Sequence, residues 1–436
     1  MIVFVDQVTE RLQYTFDFVF KQHGLHYKLT NDLSVFIAST EPKFSYSDYP
    51  FDEVSMLTPA SLLFEEVIDK YLTLSKSEWN GVECLSIDGK TDPFAAIFYV
   101  ISRYEEYTNP KRDKHDRFQA SESILFQFGW LKQQIVEHWV KAIVVNYLPG
   151  KLAEYESGKT LTAIPSFDID NTFAYKWKDG FRKWFSVAKD TLKGNKERAR
   201  FRKLVLSGQT PDPYDTFDRI QKCAQRFDQT RVFWLLGDIG EFDRNITWRD
   251  PRHQRLIRSI GTVARVGLHP SYASNVSDKR LLEEKQRISQ ILAKKVTESR
   301  QHFLKVKLPQ TYRRLINEGF KKDYSMGFAD QPGFRLGTAH PVYFFDLEAN
   351  TATDFKLIPF AYMDGTFNEY LQCSVVESKA IVEQLLQEVK THGGVFCFIW
   401  HNETIGNSGK WQGWSELLDF TLELLDGNNT AFPTTD

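Results

Sequence analysis

Apolar and polar positions along this 436-residue chain fall into two regimes that meet near residue 160. In the first, Ile2-Val-Phe-Val reads as a strand, Thr9 to Gln22 as a helix and Leu33-Ser-Val-Phe-Ile-Ala as a second strand, a small βαβ-like opening. Asp92-Pro-Phe-Ala-Ala-Ile-Phe-Tyr-Val-Ile then sets Asp at a cap, Pro in a first turn and apolar residues at helical spacing. Trp130 to Tyr147 reads as a further amphipathic helix. The stretch from Leu148-Pro-Gly to Gly158-Lys-Thr is polar and turn-rich, which places a boundary there. Residues 1–150 are thus expected to form a smaller α/β domain with its own core, packed beside the second domain without closing its active mouth.

From Leu161 to about residue 430, strands and helices alternate. The strands are expected at 161–167, 230–236, 265–269, 301–305, 323–328, 357–362 and 394–400, and the helices at 214–227, 281–294, 311–318, 377–391 and 414–426. This alternation builds a parallel sheet covered by helices; seven strands suit a barrel, and a doubly wound open sheet has the same pattern. The basic run Lys189 to Lys203 reads as an exposed helical insertion.

A net charge of −2 gives no field directed at nucleic acid or an anionic membrane surface. The aromatic content of 14% suits a packed interior and a groove able to stack on sugar rings. Cys84, Cys223, Cys373 and Cys397 form no C-x-x-C pair and read as small buried apolar residues. The amino terminus lacks a basic leader, and no apolar run reaches about 18 residues, so a soluble cytoplasmic protein without a transmembrane segment is expected.

The chemistry gathers where strands end. Leu161-Thr-Ala-Ile-Pro-Ser-Phe-Asp168-Ile-Asp170 is an apolar run that breaks into two carboxylates on one face of a strand. Two like charges so close raise one pKa unless a cation or proton relieves them, as for a general base beside a metal ligand; the alternative is a pair of solvated loop acids capping the next helix. Later strands are followed by Gly237-Asp238, His269, the Arg300-Gln-His302 segment, Asp330 to Arg335, Asp364-Gly-Thr and His401-Asn-Glu403. Polar groups recurring at this end of a sheet point to a catalytic pocket. His401 closes the last apolar strand, where a closed barrel sets it beside Asp168, so an imidazolium could protonate a leaving nitrogen opposite a carboxylate that activates water.

In order and spacing, these segments resemble the polysaccharide deacetylase family. Ser166-Phe-Asp168-Ile-Asp170 matches its first motif and Gly267-Leu-His269-Pro-Ser-Tyr272-Ala-Ser-Asn275 is similar to its second. Arg300-Gln-His302-Phe resembles the third, Asp330-Gln-Pro-Gly-Phe-Arg335 the fourth in a divergent, Bacteroidetes-type branch, and Phe398-Ile-Trp400-His401 the fifth. The resemblance implies a distorted (β/α)7 barrel over residues 160–430 and a hydrolase that removes an acyl group from an N-acylated sugar or glycan precursor. It makes Asp168 the base, Arg300 its positioning partner, His401 the general acid, and Asp170 and His269 ligands of a divalent ion, zinc by type of site. Tyr272, Asn275, His302, Arg335 and Trp400 would line the substrate groove. Ser102-Arg-Tyr-Glu-Glu-Tyr and Asp116-Arg-Phe resemble an uncharacterised domain that precedes such modules.

One departure stands out: the second histidine of the second motif would fall at position 273, which is Ala273. A third ligand could come from Ser274, Asn275, His302, His340 or water, with groove lining or structural hydrogen bonding the plainer role for both histidines. The competing function is a glycan-binding or scaffolding protein that keeps the fold without catalysis.

Overall fold

The computed structural model describes residues 1–178 and 196–426. The basic run Lys189–Lys203 lies partly outside them, and its remainder belongs to a largely exposed helix, Lys196–Leu206.

Strands β1 (Ile2–Val5), β2 (Lys28–Thr30), β3 (Lys43–Tyr46) and β4 (Met56–Leu57) form a parallel sheet in the order β2-β1-β3-β4. An antiparallel meander follows, of β5 (Leu74–Trp79), β6 (Val82–Ile87) and β7 (Lys90–Thr91). The helix Pro93–Ile101 begins where expected, because the Asp92 carboxylate accepts from the amides of Phe94 and Ala95, and every residue of it is buried. Leu33–Ala38 is a helix and not the expected strand. The Asp32 side chain accepts from the Ser34 and Val35 amides, and this cap starts a turn that buries Phe36 alone.

The second sheet contains β8 (Leu161–Ile169), β9 (Arg231–Leu235), β10 (Arg265–His269), β11 (Glu298–Ser299), β12 (Lys322–Met326), β13 (Val342–Asp346), β14 (Thr351–Pro359), β15 (Tyr362–Met363) and β16 (Gly394–His401). Its order is β13-β14-β12-β11-β10-β9-β8-β16-β15, parallel throughout except for β13 against β14. The chain between β14 and β15 spans the remaining gap: the Phe360 amide donates to Met326 (3.1 Å), and the Ala361 amide donates to Cys397 on β16 (2.7 Å). The result is an α/β fold with a distorted (β/α) barrel preceded by a smaller α/β part.

Ile164, Phe233, Tyr324, Ile358, Phe360, Val395, Cys397 and Ile399 fill the barrel interior. Gly267 leaves room for one of them, since a Cβ there would lie 2.7 Å from the Phe233 ring. The alternate residues Phe167, Trp234, Leu268, Phe398 and Trp400 face outward into a core shared with Val3, Phe16, Phe94 and Trp139. The apolar interior of the amino-terminal block is thereby continuous with the outer layer of the barrel.

Buried polar contacts lock this seam. Glu106 accepts from Arg335 Nη2 (2.7 Å) and from Arg103 Nε (2.7 Å), while Gln134 holds the Ala339 amide (2.7 Å) and the Gly393 carbonyl (3.2 Å). Burial would raise the Glu106 carboxyl, but Arg335 and Arg103 hold it below the usual carboxylate range. No described helix is long and apolar enough to cross a membrane.

Candidate metal centre

Period-two alternation turns Ser166 and Asp168 of β8 into the barrel, and Asp170 follows on the same side at its carboxyl end. Arg300, completely buried, comes from the segment after β11. Its Nη1 donates to Asp168 Oδ1 (3.0 Å) and Ser166 Oγ (2.8 Å), and its Nε donates to the Tyr324 carbonyl (3.0 Å). The guanidinium also lies 4.6 Å over the Phe233 ring that Gly267 admits. Arg300 and Asp168 thus meet as expected, with the carboxylate fixed in orientation.

His269 ends β10. Its Nδ1 lies 2.6 Å from the Arg300 carbonyl, so Nδ1–H donates there and Nε2 turns toward Asp170 Oδ1, 3.2 Å away. His302 does not continue a strand. The expected strand 301–305 is a single tight turn, His302–Leu304, with Phe303 at φ 59°, and this turn swings the imidazole over the barrel mouth. Its Nδ1 lies 2.9 Å from Asp243 Oδ1 and its Nε2 3.5 Å from Asp170 Oδ2.

One donor atom from each of Asp170, His269 and His302 falls within 4.8 Å of the others. In a tetrahedral site with bonds of about 2.0–2.1 Å, ligand atoms sit roughly 3.3 Å apart, so the spacing fits. Asp170 Oδ1 is buried without a hydrogen-bond partner among the described residues, the condition of an atom suited to a cation. Each imidazole has its Nδ1 tied to an oxygen and its Nε2 free to ligate, which is how metal-binding histidines are held. Burial would raise the Asp170 carboxyl, but His302 and His269 hold it well below the usual range. Burial lowers His302, yet Asp170 and Asp243 push it up to about 9.

Across the mouth, His401 pairs in register with Asp168. Its Nδ1 lies 2.9 Å from Asp364 Oδ1, and its backbone amide donates to Asp364 Oδ2 (2.8 Å). Burial disfavours the imidazolium, but Asp364, with Asp170 and Asp168 behind it, raises His401 well above the usual value. His401 Nε2 stands 3.9 Å from Asp170 Oδ2, beside the triad.

These residues line a cavity of about 230 Å³, with Arg117, Leu304, Met363, Glu369, Tyr370 and Trp411 in its walls. Arg117 arrives from the amino-terminal block: its Nη1 donates to the Phe303 carbonyl and its Nη2 to the Tyr370 hydroxyl, each at 3.1 Å. The block thus contributes Arg117 to one wall of the mouth. A larger open cleft of about 1160 Å³ adjoins and shares Glu403 and Trp411. Burial, with Asp170 next, pushes the Glu403 carboxyl up to about 7.

Other residues expected in the groove lie elsewhere. Arg335 is buried against Glu106 at the seam, and Trp400 has the outward parity of β16 and sits in the core. Tyr272 packs on Phe242 and Phe303, 4.5 and 5.5 Å between centroids, and Asn275 donates to the Lys305 carbonyl (2.7 Å). His340 lies beside His23 and Glu137, far from the triad in the fold. Asp238 is exposed and pairs with Arg287. Around Ala273 two buried acids hold the loop: Asp243 accepts from the Tyr272 and Ala273 amides, and Glu284 accepts from the Ser271 amide and hydroxyl. Asp243, buried after β9 in an irregular loop, carried no periodic signal in the sequence; Asp364 and Glu403 stood at strand ends.

A family of unknown function, DUF7033, matches residues 1–146. No curated protein matches the sequence. Among solved structures, a protein from Mycobacterium smegmatis assigned as a polysaccharide deacetylase is similar at 14% identity over 62% of this chain and 86% of its own, with a TM-score of 0.39. An allantoinase is similar at 13% identity over 62% of this chain and 85% of its own, TM-score 0.37. The polysaccharide deacetylase of Bacillus cereus has 13% identity over 63% of this chain and 92% of its own, TM-score 0.29.

Proposed function

We propose that the protein is a metal-dependent N-deacetylase acting on an N-acylated sugar or glycan precursor, with Asp170, His269 and His302 holding a divalent ion, zinc by the character of the donors. The observation that carries this reading is His302, whose Nε2 supplies a third donor beside Asp170 and His269 where Ala273 offers none. The bound ion would supply Lewis acidity, polarising the acyl carbonyl and easing ionisation of water.

The chain's own groups fit the remaining steps. Asp168, fixed by Arg300, accepts a proton from water as its oxygen bonds to the carbonyl carbon. The C–N bond then breaks. His401, held by Asp364 with its Nε2 toward the cavity, delivers a proton to the departing nitrogen, leaving a free amine and a carboxylate. The cavity is smaller than the roughly 300–1,000 Å³ common for drug-sized ligands, so it suits one acylamino sugar, with the adjoining cleft open to a longer glycan. Polysaccharide deacetylases among the structural neighbours agree with this chemistry. The amino-terminal block is read as an uncharacterised domain whose Arg117 braces the turn bearing His302.

The test is release of free amine from an N-acetylglucosamine oligomer by the full chain with zinc, and its loss in His302→Ala. Wild-type protein that binds zinc at this site but releases no amine from N-acylated sugars would overturn the activity.

A further inference from the structure

Four of the ten histidines, His23, His138, His340 and His392, lie along the seam between the amino-terminal block and the barrel, remote from the catalytic mouth. They form two groups of very different character. In the first, His23 Nε2 faces Glu137 Oε2 at 2.8 Å and its Nδ1 is shared by the Phe18 and Val19 carbonyls. Glu137 Oε1 accepts from the Thr338 hydroxyl, and His340 Nε2 turns to the His392 carbonyl. Those atoms are engaged, and the group is a satisfied polar cluster.

The second group is not satisfied. His138 stands on the helix Ile135–Tyr147, and Glu388 and His392 stand on the helix Val375–His392 four residues apart, so their side chains share one face. His138 Nε2 lies 3.7 Å from Glu388 Oε2, beyond a hydrogen bond, and the two imidazole centroids are 4.5 Å apart. His138 Nε2 and His392 Nδ1 are both buried atoms without a hydrogen-bond partner among the described residues, and His392 as a whole is 6% exposed. One donor atom from each of the three residues lies within 4.8 Å of the others. Glu388 is oriented by the Gln134 amide, which donates to its Oε2 (2.9 Å), and His138 keeps a partly open side through which an ion and water can enter.

We propose that His138, Glu388 and His392 form a second divalent transition-metal site, separate from the catalytic mouth, that clamps the amino-terminal block to the barrel. Two imidazoles and one carboxylate favour zinc, cobalt or nickel over magnesium or calcium, with water completing the shell.

The full chain carrying Asp170→Ala and His269→Ala, dialysed against micromolar zinc chloride, is expected to retain about one zinc per molecule by mass spectrometry of the metal. Adding His138→Ala or Glu388→Gln should weaken that binding by at least about tenfold with an unchanged circular dichroism spectrum. Should the background variant fail to fold, His138→Ala and Glu388→Gln in the otherwise unaltered chain should each bind one ion fewer than the unaltered protein. Equal zinc content and affinity with and without His138→Ala and Glu388→Gln would overturn the site, as would a folded background variant that retains no zinc.

Discussion

His302 Nδ1 lies 2.9 Å from Asp243 Oδ1, and the same carboxylate accepts from the backbone amides of Tyr272 and Ala273. One buried acid thus steadies both the imidazole that points at Asp170 and the loop that carries Ala273. Asp243→Ala should weaken zinc binding by about 10–100-fold. Asp243→Asn, which keeps an acceptor for Nδ1–H, should lose less. Zinc titration reads both, and full affinity in Asp243→Ala would remove His302 from the ligand set.

Asp168→Asn should lower turnover by about 10²–10⁴-fold while leaving zinc content unchanged, because a base acts on the proton and not on the ion. Its stability should fall by about 1–3 kcal/mol, since the buried Arg300 guanidinium loses its counter-charge but keeps an amide acceptor. Steady-state kinetics, metal analysis and urea unfolding separate the three quantities. Loss of zinc would instead place Asp168 among the ligands.

At the seam, Glu106 serves two buried guanidinium groups, those of Arg103 and Arg335. Glu106→Gln leaves both cations short of charge and should cost about 3–5 kcal/mol in urea unfolding. A cost below about 1 kcal/mol would mean that water already reaches the pair.

Burial pushes the Glu284 carboxyl up to about 7 from an ordinary value of 4.5, against the opposing donation of Ser271. A carboxyl with a raised folded-state pKa binds its proton more tightly when folded, so stability declines as pH rises from about 4.5 to 7 and levels off above. The decline is on the order of 3 kcal/mol at most. Glu284→Gln, which cannot ionise, should flatten this part of the urea midpoint against pH. A parallel curve for the variant would place the proton elsewhere.

The barrel was legible because buried parallel strands are continuous apolar runs: 265–269 and 394–400 coincide with β10 and β16 almost residue for residue. The antiparallel pair β13 and β14 was harder to read, since Tyr343 and the first residues of β14 are exposed and break the apolar pattern. Leu33–Ala38 misled because six apolar-rich residues suit a strand or a short helix, and the Asp32 cap decided between them.

In the site, Asp168, Asp170, His269, Arg300 and His401 are legible because each stands at or just beyond the carboxyl end of a strand, and the fold brings them to one mouth. From sequence alone His302 reads as a groove residue or as a third ligand. Only the turn at Phe303, with its left-handed backbone, aims it at Asp170, and such a conformation leaves no periodic trace. Arg335 and Trp400 were misplaced for a common reason: proximity in sequence to a functional motif says nothing about which face of an element a side chain occupies.

The most direct test of the account is an anomalous difference map at the zinc edge from a crystal of the full chain soaked in zinc. The expected result is a peak at the barrel mouth bonded to Asp170, His269 Nε2 and His302 Nε2 at about 2.0–2.2 Å. A mouth without a peak, or a peak whose ligands leave out His302, would contradict it.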